Sequence, residues 1–99
     1  MRDVKKIMLG EKFVQDVQDA NEYRVRSNPD AVRDMKEKIE KRIELLISFP
    51  ELGKLIETKN NQEIRLLIFE HHLILYRVGQ DTIYIDRFLN EKQDYQIYT

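Results

Sequence analysis

A chain of 99 residues, 41% apolar and 35% charged, can close one modest core, so a single domain spanning residues 1–99 is expected. It has no cysteine, which excludes disulfides and thiolate metal sites, and no apolar run of about 18 residues, which excludes a helical membrane span. Its 17 Lys/Arg against 18 Asp/Glu leave a net charge of −1, without the basic surplus that phosphate-gripping proteins carry.

The opening stretch MRDVKKIMLGEKF has basic residues but no apolar h-region of a secretory signal, so the cytoplasm is the expected location. Val4–Leu9 reads as a short strand leading into Gly10. From Glu11 to about Arg26, Phe13, Val17, Ala20 and Tyr23 share one face of a helix. A second helix opens at SNPDAV, with Asn28 as N-cap and Pro29 at the first helical position. Its apolar stripe is Val32, Met35, Ile39, Ile43, Leu46 and Ile47, and Pro50 obliges it to stop. The short RSNP connection predicts an antiparallel helical hairpin. Met8, Met35, Phe13 and Phe49 are expected in the core.

Pro50–Glu63 reads as a polar, turn-rich connection. Three β-like runs follow, Ile64–Phe69, Leu73–Val78 and Thr82–Phe88, separated by Glu70–His72 and Gly79–Asp81. The order β-α-α-β-β-β predicts an α+β domain, with the helical hairpin packed on one face of a small antiparallel sheet.

Pairing Val78 with Ile83 collects Ile74, Tyr76, Val78, Ile83 and Ile85 on the helix side. The alternative, Val78 with Thr82, would bury an arginine, which is costly. Extending the same alternation puts Ile64, Leu66 and Ile68 on the helix side and Arg65 opposite Arg77. The outer face then holds Leu67, Phe69, Leu73, Leu75, Tyr84 and Phe88 around Arg65 and Arg77, with Asp86 as a partial counter-charge. Contiguous apolar surface of this kind marks an interface. Either a protein partner buries it, which is the favoured reading, or the tail NEKQDYQIYT folds back over it.

The helical hairpin ending in FPELGK, followed by IRLLIFEHHLILYRVGQDTIYIDRFLNEKQDY, resembles the RelE/ParE superfamily of toxins from type II toxin–antitoxin modules. The resemblance rests on Pro50 and Gly53, Arg65, Tyr76-Arg77-Val78, Ile83 and Ile85, Arg87 and Asp94, in that order. It implies a toxin of a plasmid-stabilisation or addiction module, neutralised by a cognate antitoxin. It leaves a homodimer open. Two activities are implied by different branches. ParE-like members bind DNA gyrase, and LILYRV…TIYIDRFLN…D resembles their pattern more closely, although a histidine is common where Asn90 stands. On that reading Arg65, Arg77, Arg87 and the tail are contact residues. RelE-like members cleave mRNA on the ribosome. They carry an arginine where this chain has Leu73, and a basic tail where it has Asn90, Glu91, Lys92 and Gln93. On that reading an arginine steadies the phosphate and His72, Tyr95 or Tyr98 moves the proton. A third reading is an orphan that keeps partner binding without toxicity.

No cofactor or metal is expected. His71 and His72 are adjacent and would point to opposite faces of a strand. The cations Arg33, Lys36, Lys38, Lys41 and Arg42 of the second helix are matched by acids and read as a solvated face.

Overall fold

A computed structural model describes residue 4, residues 6–25 and residues 29–98. The expected Asn28 cap, the RSN connection and the Tyr23 side chain lie outside the described residues. Strand β1 (Lys6–Leu9) leads into helices α1 (Glu11–Val25) and α2 (Pro29–Ser48). Strands β2 (Lys54–Lys59), β3 (Gln62–Phe69), β4 (His72–Val78) and β5 (Thr82–Asn90) follow, and Tyr95–Tyr98 closes the chain as a 3-10 turn. The strands form one sheet in the order β1-β5-β4-β3-β2. β1 runs parallel to β5, and the other pairs are antiparallel. The architecture is α+β, with the helices on one face of a five-stranded mixed sheet.

Strand β2 occupies the stretch expected to be a connection. Its turn to β3 places Asn60 and Asn61 at φ 53° and 61°, with Lys59 paired to Gln62. Two positive φ values in a two-residue loop make a tight hairpin turn, and asparagine tolerates that region better than other non-glycine residues.

The core on the helix side contains Phe13, Met35, Ile39, Leu46, Leu67, Phe69, Ile74, Tyr76, Val78, Ile83, Ile85 and Phe88. Val78 pairs with Ile83 as expected. Two departures change the rest. Strands β3 and β4 are joined by two residues, so Phe69 pairs with His72 and not with Leu73. That one-residue slip flips every β3 side chain. Leu67 and Phe69 therefore lie beneath the helices, Ile64 and Leu66 face outward, and Arg65 stands opposite Tyr76, not Arg77. Strand β5 also bulges at Asp86, where Tyr76 pairs with Ile85 but Leu75 pairs with Arg87. The extra residue returns Phe88 to the helix side, where its ring meets Phe13 edge-on at 6.1 Å. Ile68, expected beneath the helices, is 67% exposed.

Met8 and Phe49 are not core residues, being 53% and 60% exposed. Met8 stands on a terminal strand beside an open edge, and Phe49 lies beyond the last residue of α2. Ile47 is likewise exposed, because the buried stripe of α2 runs through Met35, Ile39 and Leu46.

Candidate functional site

Of the residues that carry the sequence resemblance, Val78, Ile83 and Ile85 lie in the core, Asp94 accepts the Gln96 N–H in the tail, and the others form two groups. Pro50, Gly53, Arg65 and Tyr76 form one knot at the exit of α2. The Tyr76 hydroxyl donates to Pro50 O at 2.9 Å and accepts from Gly53 N–H at 2.8 Å. Burial raises the pKa of this hydroxyl above the ordinary tyrosine range. A Cβ on Gly53 would meet the Tyr76 ring and hydroxyl at 2.8 Å, so only glycine lets the loop close on the tyrosine. Arg65 reaches the same loop from β3, donating to Gly53 O at 2.8 Å and Glu51 O at 3.3 Å and pairing with Glu63 at 3.0 Å. Its side chain is 11% exposed. Arg65 thus lies on the helix side of the sheet and supports the loop; it does not stand on the outer face.

The second group shapes a groove of about 660 Å³ on the outer face, lined among others by Gln62, Ile64, Leu75, Arg77, Arg87 and Tyr98. Arg77 projects from β4 and holds Asp86 through two bonds of 2.7 and 3.1 Å. A third bond, at 3.0 Å, goes to Gln62 Oε1. Its guanidinium lies over the Tyr84 ring, 4.7 Å from the centroid. Asp86 is the extra residue of the bulge, and its carboxylate turns toward Arg77 on the outer face. Hydrogen bonding to Asp86 raises the pKa of Arg77, so the guanidinium stays charged.

Arg87 stands where β5 has outrun β1, with α1 packed beside it. It grips Asp16 at 2.7 and 2.9 Å, and the same carboxylate accepts the Phe88 N–H at 3.0 Å. Asp16 therefore satisfies a strand-edge donor and an arginine together. Arg87 also has its pKa raised, chiefly by that hydrogen bond. The Tyr98 ring covers the guanidinium at 4.3 Å.

The tail does fold back. Tyr95 and Tyr98 pack against a second apolar cluster of Ile64, Leu66, Leu73, Leu75 and Leu89. Of the outer face expected from sequence, Leu73, Leu75, Arg77 and Tyr84 are there, while Arg65, Leu67, Phe69 and Phe88 are on the other side. Leu73 and Leu75 are buried, so the apolar patch is covered within the chain.

His72 stacks on Phe88 with centroids 4.5 Å apart and an interplanar angle of 12°. With exposed His71, which pairs with Glu91 at 3.2 Å, it lines a different groove of about 560 Å³ beside Asp16 and Asp19. Tyr98 lines the groove of Arg87 and His72 the one beside Asp16, and Gln93 of the second groove donates to the Tyr98 hydroxyl at 3.4 Å. Among the described residues, no group of three or more His, Cys, Asp and Glu side chains could hold a metal ion. No described helix is long and apolar enough to cross a membrane.

Sequence reasoning missed Asp16, Gln62 and Lys59. The Asp16–Arg87 pair joins residues 71 apart in sequence and leaves no local pattern. Gln62 and Lys59 belong to a hairpin whose only signal was the Asn60-Asn61 pair.

A family model described as ParE toxin of type II toxin–antitoxin system, parDE, matches residues 7–95. No curated protein matches the chain.

Proposed function

The chain belongs to the ParE toxin family of type II toxin–antitoxin systems, and on that premise we propose that it arrests growth by binding DNA gyrase through the outer-face groove, without cutting RNA. Membership in the family implies a cognate antitoxin as the partner that neutralises it.

One observation carries the choice of a binding mechanism. Both groove arginines are already engaged, Arg77 by Asp86 and Arg87 by Asp16. Cleaving RNA by attack of a 2′-hydroxyl needs cations free to meet developing phosphate charge and an acid–base group within hydrogen-bonding reach. Here the arginine charges are spent on carboxylates, and the two histidines line the other groove. An arginine fixed by a carboxylate is instead a rigid, planar contact residue suited to a protein surface. A cytoplasmic location fits a gyrase target.

The test is controlled expression in bacteria with pulse-labelled DNA and protein synthesis followed side by side. DNA synthesis should fall first, with damage signalling and filamentous cells. Translation falling first, with mRNA cut at codons, would overturn the proposal. Purified chain should also inhibit supercoiling by gyrase in vitro, and Arg77→Glu should lose that inhibition while keeping the fold.

A further inference from the structure

The two arginines of the outer-face groove are built alike, although their partners come from different parts of the chain. Arg77 is held by Asp86 through Nε and Nη2 and lies over the Tyr84 ring. Arg87 is held by Asp16 through the same two nitrogens and lies over the Tyr98 ring. A solvated ion pair held at one point is loose and exchanges readily. These two are bidentate, and their four side chains are between 15% and 37% exposed.

Neither carboxylate gives way easily. Asp16 also accepts the Phe88 N–H at 3.0 Å, so withdrawing it would strand a backbone donor as well as the arginine. Asp86 is the extra residue of the β5 bulge, and Gln62 Oε1 holds the remaining Nη1 of Arg77 at 3.0 Å, which keeps the guanidinium from swinging out toward another anion. A phosphate entering the groove would therefore meet a carboxylate beside each arginine, and like charges repel at that range. Outside the two pairs the walls carry Lys12 and Lys59 against Glu11, far short of a basic cleft. Hydrogen-bonding capacity survives this loss of charge. With Nε and one hydrogen of Nη2 taken, Arg87 keeps the donors of Nη1, and no described residue accepts from them. Such donors pair with a peptide carbonyl, which brings no net charge to repel.

We infer that Asp16 and Asp86 are specificity-determining residues of the groove, which cap its arginines so that it takes a polypeptide through neutral carbonyl oxygens and refuses polyanions such as RNA. The use of the groove against a growth target rests on the proposed function; the refusal of polyanions does not. Discrimination here is a repulsive group set beside an attractive one. Neutralising the two acids should release both arginines and turn the groove into a phosphate-binding surface.

The experiment measures binding of a short fluorescein-labelled oligouridylate RNA by fluorescence polarisation, for the full chain, Asp16→Asn, Asp86→Asn and the double variant. A control carrying Glu40→Gln and Glu44→Gln matches the double variant in net charge, at exposed positions of α2 across the sheet from the groove. Asparagine keeps the shape and one acceptor oxygen, so the Phe88 N–H retains a partner. Each single variant should bind the RNA about tenfold more tightly than the control, the factor that one released charge-assisted donor group supplies. The double variant should gain about a hundredfold and steepen the plot of log affinity against log salt by about 1.4, two phosphates at about 0.7 each. Adding Arg87→Gln to Asp16→Asn should remove the gain, which ties it to the released arginine. A double variant no tighter than the control, a gain without a steeper salt dependence, or a parent that already binds as tightly as the double variant would each overturn the proposal. Circular dichroism melts accompany every protein. The two pairs arise from separate parts of the chain, so loss of fold in one single variant leaves the other to decide. Should the parent fail to inhibit gyrase, the proposed function falls, and the RNA affinities alone still decide the role of the two acids.

Discussion

On the helix side of the sheet, Ile74, Tyr76 and Val78 of β4 lie beneath two helices of 15 and 20 residues. On the outer side their chain neighbours Leu73 and Leu75 lie beneath a four-residue turn. Both sets are buried, so burial alone does not separate them. The covers do. The helices are bound to the sheet by a continuous stripe of core side chains, and removing them means unfolding the domain. The turn contributes two part-buried tyrosines, Tyr95 and Tyr98, a much smaller cover than the helices. The same strand thus carries a thickly covered core on one face and a thinly covered one on the other.

A carboxylate placed in each core distinguishes the two faces most strongly. Ile74→Asp puts a charge beneath the helices with no counter-ion, and should cost more than about 4 kcal/mol, leaving no cooperative thermal transition in circular dichroism. Leu75→Asp should cost about half as much, because its cover is thinner. Equal losses would make the two faces one core. Tyr76→Phe is subtler. It strands the Gly53 N–H and the Pro50 carbonyl, and should lower the unfolding free energy by about 1–2 kcal/mol in urea titrations without changing the slope. The smallest effect belongs to Ile68→Thr, which should stay within about 0.5 kcal/mol because this outward-facing residue has no cover. A larger loss there would mean that the tail reaches farther along β3 than Tyr95 and Tyr98.

The helices and the Val78–Ile83 end of the β4–β5 register were readable because their signals are local and redundant. The α2 stripe repeats over five turns, and Gly79–Asp81 closes a loop between two apolar runs. The β3 register was not readable for a physical reason: alternation sends Arg65 outward, whereas Glu63 and the backbone of the Gly53 loop satisfy it on the helix side. The choice is made by a two-residue turn in which Glu70 takes a φ of 52°, a conformation its side chain gives no reason to expect. The bulge at Asp86 was equally silent, and it alone decides that Phe88 faces the helices. Strand β2 was missed for a different reason. Its residues are mostly exposed, as suits an edge strand with a lysine at each end, so it lacks the apolar alternation that identifies strands. The family signature was legible, but the roles of its residues were not. Arg65 read as an outer-face residue but braces the Gly53 loop from the helix side, whereas Arg87 depends on an aspartate 71 positions away.

Strand β1 has one neighbour, and that neighbour is the last strand of the sheet, with Ile7 set against Ile83 and Leu9 against Ile85. During synthesis the first strand emerges long before its mate exists. The hairpins β2–β3 and β3–β4 can form as they appear, but the N-terminal strand must wait until β5 has been made. Helix α1 waits too, because Asp16 finds Arg87 and the Phe88 N–H only then. A nascent chain therefore lacks one edge of its sheet until β5 has been made. The sheet thus closes late in synthesis, when β5 emerges and receives β1.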